Sequence, residues 1–117
     1  MSSTVILHNP RCSKSRQTLA LLEEKGIAPQ VIEYLKTPLG VDELNDVFKK
    51  LNLESVRQMM RTKEQENKDA NLADTALSDN DLFAAMAATP KLMERPIVIT
   101  ESQARIGRPP ESVLEII

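Results

Sequence analysis

The sequence predicts an α/β fold, and three features carry that expectation. Apolar runs at Val5-Ile6-Leu7 and within Gln30–Tyr34 flank a segment of helical period. A β-branched run, Ile97-Val98-Ile99, comes late and is followed by Arg105-Ile106. Between these β regions, residues from about 40 to 90 are patterned as helix and turn.

The elements follow in order. Val5-Ile6-Leu7 reads as a short buried strand, broken by Asn9-Pro10. Ser13 to Lys25 has a helical stripe through Leu19, Ala20 and Leu22, with Gly26 as its stop and Pro29 just beyond. Val31 and Ile32 centre the second strand, so the first third is β-α-β, which implies a parallel crossover. Val41, Leu44, Val47, Phe48 and Leu51 recur at steps of three and four, giving an amphipathic helix over 41–51. Ser55 to Met60 reads as a further helical turn, and the polar run Glu64 to Asp74 as a solvated segment. Ser78 and Asp81 form a capping-box pattern opening a helix to about Ala88, which Pro90 ends. Glu101 to Ala104 turns the third strand into Arg105-Ile106, and Pro109-Pro110 precedes a final short helix with Val113, Leu114 and Ile117. Without the helical block, the remaining order is that of a thioredoxin-type domain. Residues 1–117 therefore read as one domain with a helical insertion at about 40–90.

Composition narrows the function. The chain has 15 Lys+Arg against 17 Asp+Glu, so its formal charge is −2, and no basic field draws it to nucleic acid or anionic lipid. No apolar run approaches the ~20 residues that span a bilayer, and Met1 to Leu7 lacks the layout of a signal peptide. A cytoplasmic chain is expected. With 3% aromatics the core must be aliphatic, and Met59, Met60, Met86 and Met93 read as gap-fillers within it.

Chemistry concentrates at the sole cysteine. Cys12 has no partner for a disulfide within the chain, and with His8 the only histidine a structural metal site is not expected. Cys12 falls where the first helix begins, where unpaired N–H groups and the macrodipole stabilise a thiolate. Arg11, Lys14 and Arg16 surround it in sequence, although basic residues at a helix N-terminus oppose the dipole. Breaking that local rule points to function. The same geometry binds tetrahedral oxyanions, and a thiolate beside one can attack its central atom, chemistry that suits arsenate.

The stretch His8-Asn9-Pro10-x-Cys12-x-x-Ser15-Arg16-x-Thr18-Leu19-x-Leu21-Leu22 resembles the glutaredoxin-coupled arsenate reductase family, the ArsC type. Tyr34-Leu35-x-Thr37-Pro38, Arg57-x-Met59-Met60-Arg61, Arg95-Pro96-Ile97-Val98-Ile99-Thr100 and Arg105-x-x-Arg108-Pro109 continue the resemblance in order along nearly the whole chain. It implies a thioredoxin-like fold with a helical insertion and Cys12 as the nucleophile. It further implies that His8 helps keep the thiol ionised and that Arg61, Arg95 and Arg108 bind the oxyanion. Ser15 and Arg16 match supporting positions, and Pro96 matches the cis-proline that faces the cysteine in thioredoxin-like domains. The implied reaction has arsenate as substrate, glutathione as co-substrate and glutaredoxin as partner, with no bound cofactor or metal.

Two other readings fit the residues. Cys12-x-x-Ser15 spacing suits a glutathione-linked thiol-disulfide oxidoreductase of monothiol type, which has no need of arginines converging on the cysteine. A non-catalytic Spx-like binding protein shares the expected fold. Its usual disulfide switch is ruled out here, because no second cysteine is present.

Overall fold

The computed structural model describes residues 4–61 and 76–117. Strand β1 (Val5–Leu7) leads into helix α1 (Ser13–Glu24), and strand β2 (Gln30–Ile32) follows. Helix α2 (Val41–Leu51), a 3-10 turn at Val56–Met59, helix α3 (Asp79–Ala88) and a 3-10 turn at Pro90–Leu92 form the helical block. Strands β3 (Ile97–Ile99) and β4 (Ala104–Ile106) and a 3-10 segment at Pro110–Glu115 complete the chain. Among the described residues no helix is long and apolar enough to cross a membrane.

The four strands form one sheet in the order β2-β1-β3-β4. β1 pairs in parallel with β2, Leu7 opposite Ile32, and antiparallel with β3, Leu7 opposite Ile97. The C-terminal ends of β1 and β2 therefore share one edge of the sheet with the N-terminal end of β3. Chains leaving or entering at that edge carry His8 to Cys12, Glu33-Tyr34, and Arg95-Pro96. This is the thioredoxin-like α/β plan read from the strand runs.

Alternation along the strands divides the core into two layers. Ile6 and Val98 point to one face and pack with Leu22 of α1 and Val113 of the C-terminal segment. Leu7 and Ile97 point to the other and pack with Leu44, Val47, Met59, Phe83 and Met86 of the helical block. A sheet covered on both faces needs apolar residues at consecutive positions, which is why its strands read as unbroken runs. Each fully buried Leu or Ile contributes about 1.5–3 kcal/mol. Met59, Met60, Met86 and Met93 are all buried in the second layer, as core fillers.

Local signals set the helix ends. Gly26 takes the left-handed conformation (φ 77°) just past the Lys25 cap of α1. At α3, Ser78 Oγ accepts from the Asp81 N–H (3.2 Å) while Asp81 Oδ2 accepts from the Ser78 N–H (3.0 Å), completing the capping box.

Two elements differ from expectation. β2 ends at Ile32, because the chain turns at once and the Lys36 and Thr37 N–H groups both bond the Glu33 carbonyl. The final helix, Pro110–Glu115, is 3-10 and stops short of Ile117, and the expected helical turn at Val56–Met59 also takes the 3-10 form. Runs this short gain little from the α ladder, and 3-10 bonds close a turn sooner. The polar stretch Glu64 to Asp74 lies outside the described residues.

Gly107 locks α1 to the sheet edge. A Cβ there would lie 2.7 Å from Thr18 Oγ1 and 2.9 Å from Pro96 Cγ, so only glycine allows this approach. The Gly107 N–H also donates to the Pro96 carbonyl (2.8 Å). The Arg95–Pro96 peptide is cis, as expected, and so is Arg108–Pro109.

Candidate active site

Cys12 is the N-cap of α1, with extended backbone (φ −95°, ψ 123°), and its carbonyl accepts the Arg16 N–H (3.0 Å). Asn9 and Pro10 break the strand and begin the turn, and Cys12 N–H donates back to the Asn9 carbonyl (3.0 Å). The half-buried thiol thus meets the unpaired N–H groups of the first helical turn. Partial burial alone raises its pKa. Hydrogen bonding from the Ser15 N–H, the Arg95 charge, hydrogen bonding from the Lys14 N–H and the Arg108 charge outweigh that, and the net shift is downward.

The cations that act on the thiol come from far along the chain. Arg108 Nη2 lies 3.7 Å from Cys12 Sγ, across 96 residues of sequence. Its Nε donates to the Arg95 carbonyl (2.8 Å) and lies 3.5 Å from Glu94 Oε2, so the guanidinium is anchored at Nε. By contrast Arg11, Lys14 and Arg16, expected to act through nearness in sequence, are exposed at the helix start. Lys14 contributes its backbone N–H, and Arg16 Nη1 donates to the Pro10 carbonyl (2.8 Å), bracing the loop. Arg95 and Arg108 instead converge on the sulfur at the same edge of the sheet, from the start of β3 and from just past the end of β4.

Arg61 is placed by a different device. Its N–H donates to the Leu92 carbonyl (2.6 Å), and an isolated bridge pairs Met60 with Met93. The segment before Arg95 is thereby tied to the segment ending in Arg61. The Arg61 charge bears on the Tyr34 phenol, as do Arg95 and Cys12.

His8 does not act on the thiol as a charge. Burial lowers its pKa below the ordinary 6.5; Glu33 opposes that shift and Arg16 adds to it, and the net shift leaves a neutral ring at pH 7. His8 Nδ1 lies 2.6 Å from Ser15 Oγ, which also accepts from the Asn9 N–H (3.0 Å). Ser15 is fully buried, and its own N–H is one of the thiol's donors. His8 therefore reaches Cys12 through Ser15, as a positioning group.

This pairing has a stability signature. Ser15→Ala leaves the Asn9 N–H and His8 Nδ1 without their partner, at an expected cost of about 1–3 kcal/mol by urea unfolding. The wild type should also lose stability as pH falls below about 6.5, where the unfolded chain takes a proton that folded His8 resists. A flat unfolding midpoint between about pH 7 and 5.5 contradicts a buried neutral His8.

Glu94 and Tyr34 had no assigned role from sequence. The signal for Tyr34 is its rarity, as the one tyrosine of a chain with 3% aromatics. Glu94 carried no signal, since an acidic side chain beside an anion site runs against the expected charge.

The ArsC family model matches residues 7–116. The fold superposes on the structure of an arsenate reductase from Vibrio cholerae with a TM-score of 0.97 and 63% identity, covering 98% of each chain. An arsenate reductase of Haemophilus influenzae is 54% identical over 98% of this chain and 99% of its own length. YfgD, an uncharacterized protein of Escherichia coli, is 56% identical over 96% of this chain and 94% of its own. The chain belongs to the ArsC family.

Proposed function

We propose that this protein reduces arsenate to arsenite, with Cys12 as nucleophile, glutathione as co-substrate and a glutaredoxin as regenerating partner. The observation that carries the reading is the Arg108 guanidinium 3.7 Å from the Cys12 sulfur at the start of α1. A cation there favours the thiolate of any exchanger, but a forked guanidinium beside Arg95 at the same sulfur also supplies the donors that an oxyanion bound against the thiolate requires and a disulfide does not. The family relatives named above as arsenate reductases support the same substrate.

The steps balance as follows. Bound hydrogen arsenate sits on the N–H groups of the first helical turn and on Arg95 and Arg108, with Arg61 completing the cationic wall. The Cys12 thiolate forms an S–As bond as one As–O bond breaks, and that oxygen leaves as water with protons from solution. Glutathione then forms an S–S bond with Cys12 while the S–As electron pair passes to arsenic, taking As(V) to As(III). Arsenite leaves, and the glutaredoxin thiolate takes the glutathionyl group from Cys12. A lone cysteine needs such an external resolving thiol, and the supply fits a reducing, cytoplasmic setting. A groove of about 210 Å³ beside the loop offers Arg11, Lys36 and Glu33 to the carboxylates and ammonium of a zwitterionic tripeptide.

The test is NADPH consumption and arsenite release with arsenate, glutathione, glutaredoxin and glutathione reductase. Turnover requiring all of them is expected. No arsenite, with the glutaredoxin active on a standard disulfide, overturns the reading.

A further inference from the structure

Two buried donors at the site edge of the sheet have nothing to donate to among the described residues. The hydroxyl of Tyr34, a residue only 1% exposed, and Nε of Arg95 both lack a hydrogen-bond partner there. Unpaired buried polar groups are rare in folded proteins, and one at a site asks for a ligand. Here are two, and the Arg95 charge acts on the Tyr34 phenol. Tyr34 follows β2 beside the loop that β1 feeds, and the His8 N–H bonds the Ile32 carbonyl (2.8 Å) at that edge. The charges of Arg95, Cys12 and Arg61 all reach the phenol.

The ring itself is held by packing. Leu39, Leu44, Met86, Pro90 and Met93 surround a small apolar gap on which Tyr34 also borders. That packing needs the ring and not the oxygen. The Asn9 side chain lowers the phenol's pKa without forming a hydrogen bond of proper geometry, and its Oδ1 already accepts from the Arg11 N–H (3.0 Å). Burial, opposed by Arg95, Arg61 and Asn9 and assisted by Cys12, pushes the phenol up to about 12, so it stays a neutral donor at working pH. What is missing is an acceptor.

We propose that the Tyr34 hydroxyl and Arg95 Nε–H together hold one oxygen of the oxyanion bound against Cys12, making Tyr34 a substrate-binding residue of this site. A tetrahedral oxyanion is rich in acceptors, and fixed donors aimed at its oxygens need no reorganisation when it arrives. The inference rests on the arsenate reading, and one experiment separates the two.

Tyr34→Phe removes only the oxygen. Alkylation of Cys12 by iodoacetamide is followed against arsenate concentration, without glutathione, for the wild type and the variant. Arsenate should protect both, with half-protection in Tyr34→Phe shifted upward on the order of 10- to 100-fold. The pH profile of alkylation without arsenate should be unchanged. The melting temperature should hold or rise, since an unsatisfied buried group is gone. Equal protection of both proteins overturns the role of Tyr34 and leaves the arsenate reading standing. A moved pH profile with equal protection assigns the hydroxyl to the thiolate instead and also overturns it. Failure of arsenate to protect even the wild type defeats both.

Discussion

Cys12→Ser should lose arsenite formation by roughly three orders of magnitude or more, because the attacking atom and the mixed disulfide both depend on that sulfur. The fold should not suffer. Cys12 sits at an N-cap position where its side chain makes no capping hydrogen bond, and serine is a favoured residue there. The variant should therefore melt at the same temperature as the wild type or slightly above it. Reductase activity surviving in Cys12→Ser removes the nucleophile assignment. Lost activity together with a collapsed melting transition assigns Cys12 a structural role instead.

Arg108→Ala should have the second largest effect, and it acts twice. It removes a guanidinium 3.7 Å from the sulfur, so the Cys12 pKa rises and less thiolate is present at neutral pH. The midpoint of the alkylation profile should move up, by less than a fully buried pair would give because Arg108 is partly exposed. It also removes a forked donor from the oxyanion, raising KM for arsenate by about 10- to 100-fold. Glu94 sharpens the test. Without Arg108 its carboxylate is left unpaired beside the site, so adding Glu94→Gln should recover part of the pKa shift. Arg108→Lys should not restore the wild type, because one ammonium cannot meet the Arg95 carbonyl and the sulfur together. An alkylation profile identical in Arg108→Ala and wild type shows that this cation does not govern the thiolate.

The parts of the molecule legible from sequence are those decided locally. Val5-Ile6-Leu7 and Ile97-Val98-Ile99 are apolar on both faces and could only be covered strands. Ser78 and Asp81 predicted a capping box, and both its hydrogen bonds form. Asn9-Pro10 followed by a helical stripe put Cys12 at the helix start, where it is found. The electrostatics were less legible. Arg11, Lys14 and Arg16 looked like the thiol's cations because they adjoin it, yet it is the Arg108 guanidinium that reaches the sulfur, at 3.7 Å. Arg95 and Arg108 arrive through the antiparallel registers of β3 on β1 and of β4 on β3, pairings that spacing along the chain does not encode. Only the resemblance to a known family singled them out. Likewise, nothing in the spacing of His8 and Ser15 says that they face each other across the end of β1 and the first turn of α1.

The central claim, that Cys12 carries the electrons from glutathione to arsenic, is tested most directly with glutaredoxin left out. The protein is incubated with arsenate and glutathione, arsenite is counted, and the mass of the intact chain is measured beside an incubation lacking arsenate. One arsenite per chain, with one glutathionyl group on Cys12 that glutaredoxin then removes, is the predicted result. Arsenite formed while Cys12 remains unmodified, or a chain that never makes arsenite under these conditions, contradicts it.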